Sequence, residues 1–287
     1  MKCLLLVITA DDLGIDPRRD EGILLAHARG AITQASLMVR GPSAERAARA
    51  AAAAGLPVGL HLDLTETPPC APRSAISSLL DASGQKRGKH GLRAAIERGE
   101  IEPAHVAREA EAQLDAFAEL MGAAAAHADG HQHAHTVPFL AEVLAPVLAA
   151  RGVLTTRIPE QREVHVADPI AARFYESVSA DAARARSIYE RHGVRSTEAF
   201  VGLDLMGAAS SAERLRAAVE RCRGAHSVEL MCHPGYPGNG IDSFNESPDR
   251  EHELDVLLSH PFAPLIAAGH VTLGPFSSLA ASFVRRL

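Results

Sequence analysis

Short apolar runs alternate with longer stretches of helical periodicity along nearly the whole chain. Residues 4–9 read as a buried strand, and 17–29 as a helix with Pro17 in its first turn and Gly30 just past its end. A strand-like run follows at 32–39, then an Ala-rich helix with Ser43 positioned to cap it and Gly55 to end it. The pattern then predicts a third strand over 58–64, the longest helix over 103–121 closed by Gly122, a weak strand over 124–130 and a helix over 137–150. The second half repeats the rhythm, with strands at 153–158, 199–203, 227–232 and 270–273 and helices at 182–192, 210–223, 251–258 and 276–286. Segments 65–91, 159–169 and 234–248 are irregular and read as loops.

Strand–helix alternation at this spacing implies right-handed βαβ units and a parallel sheet. About seven units favour an α/β fold of the closed or nearly closed, TIM-like (β/α) barrel type, in a single domain over residues 1–287. An open dinucleotide-binding sheet is disfavoured, because no G-x-G-x-x-G follows the first strand. In a parallel β/α fold the loops after the strands build the active site, so the irregular segments are expected to wall a cleft.

Composition narrows the function. The chain is 47% hydrophobic and 22% charged, which excludes a disordered chain. Its net charge is −6 with no basic block, so it lacks the clustered cations that duplex nucleic acid requires. Cys3, Cys70, Cys222 and Cys232 are widely spaced with no C-x-x-C pair, which suits small buried hydrophobes in a reducing compartment. The apolar run after Lys2 leads straight into Asp11 and Asp12, unlike a signal peptide, and no run approaches the ~20 apolar residues of a membrane span. A cytoplasmic protein with no membrane or nucleic-acid partner is expected. The lopsided count is 15 His against 8 Phe, 3 Tyr and no Trp.

Four segments concentrate that surplus at predicted strand ends. Asp11 and Asp12 close the first strand; adjacent buried carboxylates are costly unless a cation or proton compensates them, although either could instead cap the next helix. His61 sits in the apolar run 59–63 and reads either as a hydrogen-bonded core residue or as a ligand. In the stretch 127–135, His127, Asp129, His131, His133 and His135 occupy every second position, so an extended chain would turn all five to one face. A row of imidazoles on one face has no packing rationale and points to metal binding or catalysis, the alternative being a solvated edge with Ala and Gly at the intervening positions. His233 ends the run 229–233 ahead of a Pro-Gly loop. Two imidazoles and one carboxylate make a facial ligand set with open positions for water and substrate, leaving a second carboxylate and further histidines for proton transfer.

The strings ITADDLG, GLHLDLTE, HADGHQHAH and ELMCHPGYP, in this order from Ile8 to Pro237, resemble the signature blocks of the YdjC/ChbG-like carbohydrate deacetylases, which include the hopanoid-associated HpnK branch. Leu13 departs from the phenylalanine usual in that family. The resemblance implies a distorted (β/α) barrel, one divalent metal ion (Mg2+ or Zn2+), and hydrolysis of the N-acetyl amide of an amino sugar. It implies Asp12, His61 and His131 as metal ligands, Asp11 as general base and His233 as general acid or oxyanion stabiliser. His133 and His135 would contact substrate or ligands, Asp129 would orient a ligand histidine, and Arg157 would orient a carboxylate or touch the sugar. A small carbohydrate is the implied partner, and a homodimer is compatible with the family.

The chemistry suits these roles. Amide hydrolysis needs a nucleophile stronger than water, a polarised carbonyl, a donor for the oxyanion and a proton for the leaving amine. Other readings are a different metallohydrolase on a β/α barrel, an amidohydrolase or phosphoesterase, and a non-catalytic sugar- or metal-binding protein. The first is weakened because such sites put H-x-H on the first strand, where this chain has Asp-Asp. Few aromatics are available to stack on sugar, Phe174, Tyr175, Tyr189 and Tyr236 among them, which favours a short substrate.

Overall fold

The computed structural model describes residues 3–238 and 242–279. Its centre is a parallel sheet built from β1 (Leu4–Leu13), β2 (Gln34–Leu37), β3 (Val58–Leu62), β4 (Ala128–Gly130), β5 (Ala199–Val201), β6 (Ser227–Cys232) and β7 (Val271–Leu273). The strand order is β4-β3-β2-β1-β6-β5, with β7 also paired to β1. Along one edge, β1 pairs first with β7 through Leu4–Leu6 and then with β2 from Thr9 onward. The sheet curls toward closure through two isolated parallel bridges, Ala128 to Thr156 and Thr155 to Arg195. The result is the expected distorted barrel, closed by single bridges where a regular one would have strands.

Strand periodicity sorts the side chains into an apolar outside and a polar inside. Leu6, Ile8, Ala10, Leu37, Leu60, Leu62, Val228 and Leu230 belong to the main core cluster with the surrounding helices. Between them on the same strands, Thr9, Gln34, Ser36, His61, Asp129 and Glu229 are buried and polar. They satisfy one another: the Thr9 hydroxyl donates to Glu229 (2.8 Å), and the Gln34 amide donates to Thr9 Oγ1 (2.9 Å). Phe276 packs on the His127 ring (4.9 Å between centroids) and joins Val7 and Leu279 in a small apolar cluster that plugs the interior.

Most predicted elements form, with instructive exceptions. The helices Pro103–Met121 and Pro138–Ala150 and the strand Ser227–Cys232 lie where the periodicity set them. The expected strand 153–158 is reduced to the bridging residues Thr155 and Thr156; Pro159 has no N–H to extend a ladder. The predicted loop 65–91 ends in a helix, Gly88–Glu97, whose Leu92 and Ala95 are buried while Gly88 and Gly91 weaken its local signal. The helix expected at 182–192 begins at Pro169, where the Asp168 carboxylate accepts the N–H groups of Ile170 and Ala171. Ser43 stands at an N-terminus but its hydroxyl caps nothing. Most of the closing helix expected at 276–286 lies outside the described residues, which end at 279.

One close approach fixes the loop after β6. Gly22, on helix Pro17–Ala28, faces Gly235 so closely that a Cβ there would lie 2.4 Å from the Gly235 Cα. Gly22→Ala is therefore expected to destabilise the protein by about 1–3 kcal/mol, although alanine is the better helix former by about 1 kcal/mol. Gly224→Ala, with nothing within 4 Å of the added methyl, is the neutral control in thermal melts.

Candidate active site

The end of β1 carries both carboxylates into one pocket. Asp11 follows the inward alternation of Val7 and Thr9, and continued extension would turn Asp12 outward. A left-handed conformation at Asp12 (φ 65°) breaks the alternation and brings its side chain round beside the inward-facing residues. For a non-glycine residue that costs about 1–3 kcal/mol, which surrounding contacts must offset. Neither aspartate caps the next helix; Asp16 does so, accepting the Arg18 N–H at 2.7 Å. Arg19, buried on that helix, approaches Asp12 Oδ2 at 3.5 Å.

Parallel register pairs His61 on β3 with Asp129 on β4. Asp129 accepts a 2.7 Å hydrogen bond from His61 Nδ1, which turns Nε2 toward Asp12 Oδ1 at 3.3 Å. Ser36 Oγ lies 3.1 Å from the same Nδ1 and 3.4 Å from Asp11. Arg157 lies beneath, fully buried. Its guanidinium donates to both Asp11 oxygens (2.6 and 2.7 Å) and to Glu229 (2.9 Å), and Asp129 Oδ2 lies 3.2 Å away.

The His-rich run does not stay extended. β4 ends at Gly130, and His131–Thr136 winds into a tight 3-10 turn with Gln132 (φ 51°) and His133 (φ 58°) left-handed. The predicted single face therefore dissolves. His131 alone reaches Asp12, with Nδ1 3.1 Å from Oδ1. His133 packs edge-on to Phe200 and lines the pocket. His135 Nε2 donates to the Arg157 carbonyl (2.9 Å), and the ring is set against Gly130, where a Cβ would meet it at 2.4 Å. His127 faces the interior beside Gln34. On the opposite wall, His233 Nε2 is 3.8 Å from Asp11 Oδ2, and the His233 N–H is held by Glu253 (2.7 Å).

Asp12, His61 and His131 thus offer three donor atoms within 4.8 Å of one another. Asp11, His61 and Asp129 form a second such group, but both of its carboxylates already hold Arg157. The first set fits a divalent cation, and its electrostatics support that fit. Burial alone would discharge both imidazoles. It is outweighed for His61 by Asp129 and Asp11, which raise it to about 9, and for His131 by hydrogen bonds to Asp12 and Glu66, which hold it well above the ordinary range. The same hydrogen bonds from His131 and His61 overcome burial and keep Asp12 well below the usual carboxylate range. The site thus attracts positive charge, and exchanging the two imidazolium protons for one divalent cation leaves its net charge unchanged.

The remaining groups are tuned by burial. Burial raises Asp11 against the pull of Arg157 and raises Glu229 to about 7. It lowers His133 strongly, His135 to about 4 and His233 to about 3, so all three are neutral at neutral pH.

A cavity of about 250 Å³ opens over these groups, walled by Phe174, Tyr175, Met206 and Phe244. Of the candidate aromatics, Tyr189 is instead buried with its hydroxyl on the His135 carbonyl (2.8 Å), and Tyr236 lies under Arg18. Ser36, Glu66, Glu229 and Phe244 were not singled out by the sequence. Ser36 and Glu229 carried a signal, as polar residues on the inward side of buried strands. Glu66 closes the block GLHLDLTE but was given no role, and Phe244 lies in an irregular segment with no periodicity to mark it.

Comparison with known proteins agrees with the four sequence blocks. The chain is 43% identical to a human protein named carbohydrate deacetylase over 93% of this chain and 88% of that one. It is 30% identical to a chitooligosaccharide deacetylase of Serratia marcescens, covering 96% and 99% of the two chains. A crystal structure from Enterococcus faecalis V583, provisionally described as a cellobiose-phosphate cleavage protein, shares the fold with a TM-score of 0.74 at 24% identity, over 96% of this chain and 99% of that one. The family model for YdjC-like proteins matches residues 5–268, and the chain belongs to that family.

Proposed function

We propose that this protein is a metal-dependent hydrolase that removes the N-acetyl group from an amino sugar, of the chitooligosaccharide type or in another GlcNAc-containing glycoconjugate. One observation carries the reading: a two-histidine, one-aspartate donor set (Asp12, His61, His131) shares a cavity with a buried carboxylate (Asp11) and a neutral imidazole (His233). The names of the human and Serratia relatives support the substrate class. The cavity is smaller than the roughly 300–1,000 Å³ of sites for drug-sized ligands, which supports recognition of about one sugar ring at the reacting end.

Asp12, His61 and His131 would hold the divalent ion. Their two imidazoles favour Zn2+ over the oxygen-seeking Mg2+. When bound, that ion acidifies water and polarises the acetyl carbonyl. The protein's own groups do the rest. Arg157 orients Asp11 through two hydrogen bonds, and burial makes Asp11 a better proton acceptor than an exposed carboxylate. A proton gathered from the attacking water at Asp11 Oδ2 has 3.8 Å to travel to His233 Nε2. Because burial keeps His233 from holding a proton tightly, the protonated ring is a strong donor to the leaving amine. Phe174, Tyr175 and Phe244 exclude water and offer ring faces to the sugar. A cytoplasmic setting is supported by Cys3, Cys70, Cys222 and Cys232, all free thiols. No helix among the described residues is long and apolar enough to cross a membrane.

Two measurements test this reading. Asp12→Ala, His61→Ala and His131→Ala are each expected to abolish bound metal in elemental analysis. Asp11→Asn is expected to keep it while acetate release from N-acetylated chitooligosaccharides falls about 10²–10⁴-fold. Wild-type acetate release by Asp11→Asn would remove the base from the mechanism.

The second uses pH. His61 binds its proton more tightly in the fold (about 9) than in the open chain (6.5), so in chelator-treated protein its stabilising contribution is full below pH 6.5 and lost as pH rises through 9. His131 acts in the same direction. The depressed His133, His135 and His233 have the opposite effect, but only below pH 6.5. The melting temperature of metal-free protein should therefore fall between pH 6.5 and 9, while the increment on adding Zn2+ grows as proton competition fades. A metal increment independent of pH would count against the two histidines as ligands.

A further inference from the structure

Each of the two histidines facing Asp12 uses one ring nitrogen for that carboxylate and leaves the other to be fixed by something else. For His61 the fixing group is Asp129, at 2.7 Å from Nδ1. For His131 it is Glu66: Oε2 lies 2.9 Å from Nε2, on the side of the ring opposite Asp12. We propose that Glu66 is the positioning carboxylate of His131, the counterpart of Asp129 for His61, and that it sets the affinity of the site for its divalent ion. The inference rests on the metal-site reading above and extends it to a residue outside the donor set.

An exposed glutamate would ordinarily be too mobile for this task, and the Glu66 side chain is 45% exposed. Two features immobilise it. Its second oxygen accepts a hydrogen bond from the Gln132 amide, so the carboxylate bridges two successive residues of the strained turn. Gln132 and His133 are left-handed there, and the bridge helps to hold the turn that aims His131 at Asp12. The Glu66 backbone is pinned from beneath by Asp63, which accepts the N–H groups of Thr65 (2.7 Å), Glu66 (3.0 Å) and Thr67 and both threonine hydroxyls. Asp63 is itself anchored in the core, with Lys86 Nζ at 3.6 Å, while Lys86 also reaches Glu109 at 3.3 Å. A buried ionic knot thus sets the loop, the loop sets Glu66, and Glu66 sets a ring that is only 15% exposed.

This predicts a change in metal affinity out of proportion to any change in stability, because exposed ion pairs add little to folding whereas outer partners of ligand histidines govern affinity about 10–100-fold. Chelator competition with Zn2+ on chelator-treated full-length protein is the test. Glu66→Ala is expected to weaken Zn2+ about 10–100-fold, Glu66→Gln less, and Gln132→Ala least, in the same direction. The melting temperatures of the metal-free variants should stay within about 2 °C of wild type. At saturating Zn2+, KM for a chitooligosaccharide should be unchanged. An unchanged Zn2+ affinity with a raised KM would overturn the proposal and make Glu66 a substrate contact, and an unchanged affinity with unchanged KM overturns it outright. Weakened Zn2+ binding in the variants, in a protein whose wild type releases no acetate, upholds this inference and overturns only the functional reading.

Discussion

The rest of the site depends on one buried cation. Arg157 is fully enclosed and is surrounded by Asp11, Asp129 and Glu229 on three different strands. Taking such charges out of water costs several kcal/mol per ion, recovered only when every partner is in place. One guanidinium cannot balance three carboxylates, and the surplus negative charge spreads upward. Burial, with Asp129 and Asp11 beside it, raises Glu229, and Asp129 and Asp11 raise His61 above the ordinary imidazole range. The charge balance around Arg157 thus reaches Asp12 through His61, whose Nε2 lies 3.3 Å from Asp12 Oδ1.

The same network reconciles two conflicting requirements. The general-base role proposed for Asp11 would need an accessible and basic carboxylate; a buried aspartate beside an arginine is neither by default. Burial raises Asp11 and Arg157 lowers it, and the balance lies on the side of basicity. Across the cavity, His233 is discharged by burial and kept near Asp11 by a loop whose backbone touches helix Pro17–Ala28 at Gly22. Backbone strain is concentrated at the same place: of the non-glycine residues with positive φ among the described residues, Asp12, Gln132 and His133 all lie here. The barrel stabilises these conformations because it over-determines them, with Asp12 held from one side by Arg19 and from the other by two imidazoles.

Much of this was legible in one dimension. Apolar periodicity found the strands and helices because each strand has a greasy outer face and each helix a greasy inner stripe, and those repeat locally. Asp11, Asp12, His61 and His233 stood out because polar residues closed otherwise apolar runs. The failures share a cause. The strand expected at 153–158 and the helix at Gly88–Glu97 are decided by what they pack against, not by their own pattern. In the His-rich run the alternation suggested one shared face, and the left-handed turn at Gln132 and His133 removes it.

Residue identity determined the ingredients: a parallel β/α architecture, carboxylates and imidazoles at strand ends, and few aromatics. Tertiary structure alone decided which of four histidines in nine residues meets Asp12, because left-handed turns at Asp12 and at Gln132–His133 cancel the strand period on which the one-dimensional reading relied. It alone brought Glu66 and Glu229 to the site and gave Arg157 its carboxylate partners, since each acts through a partner more than 60 residues distant in the chain. Spacing along the chain reports only local geometry, whereas charge compensation in a buried site is settled by neighbours across the barrel.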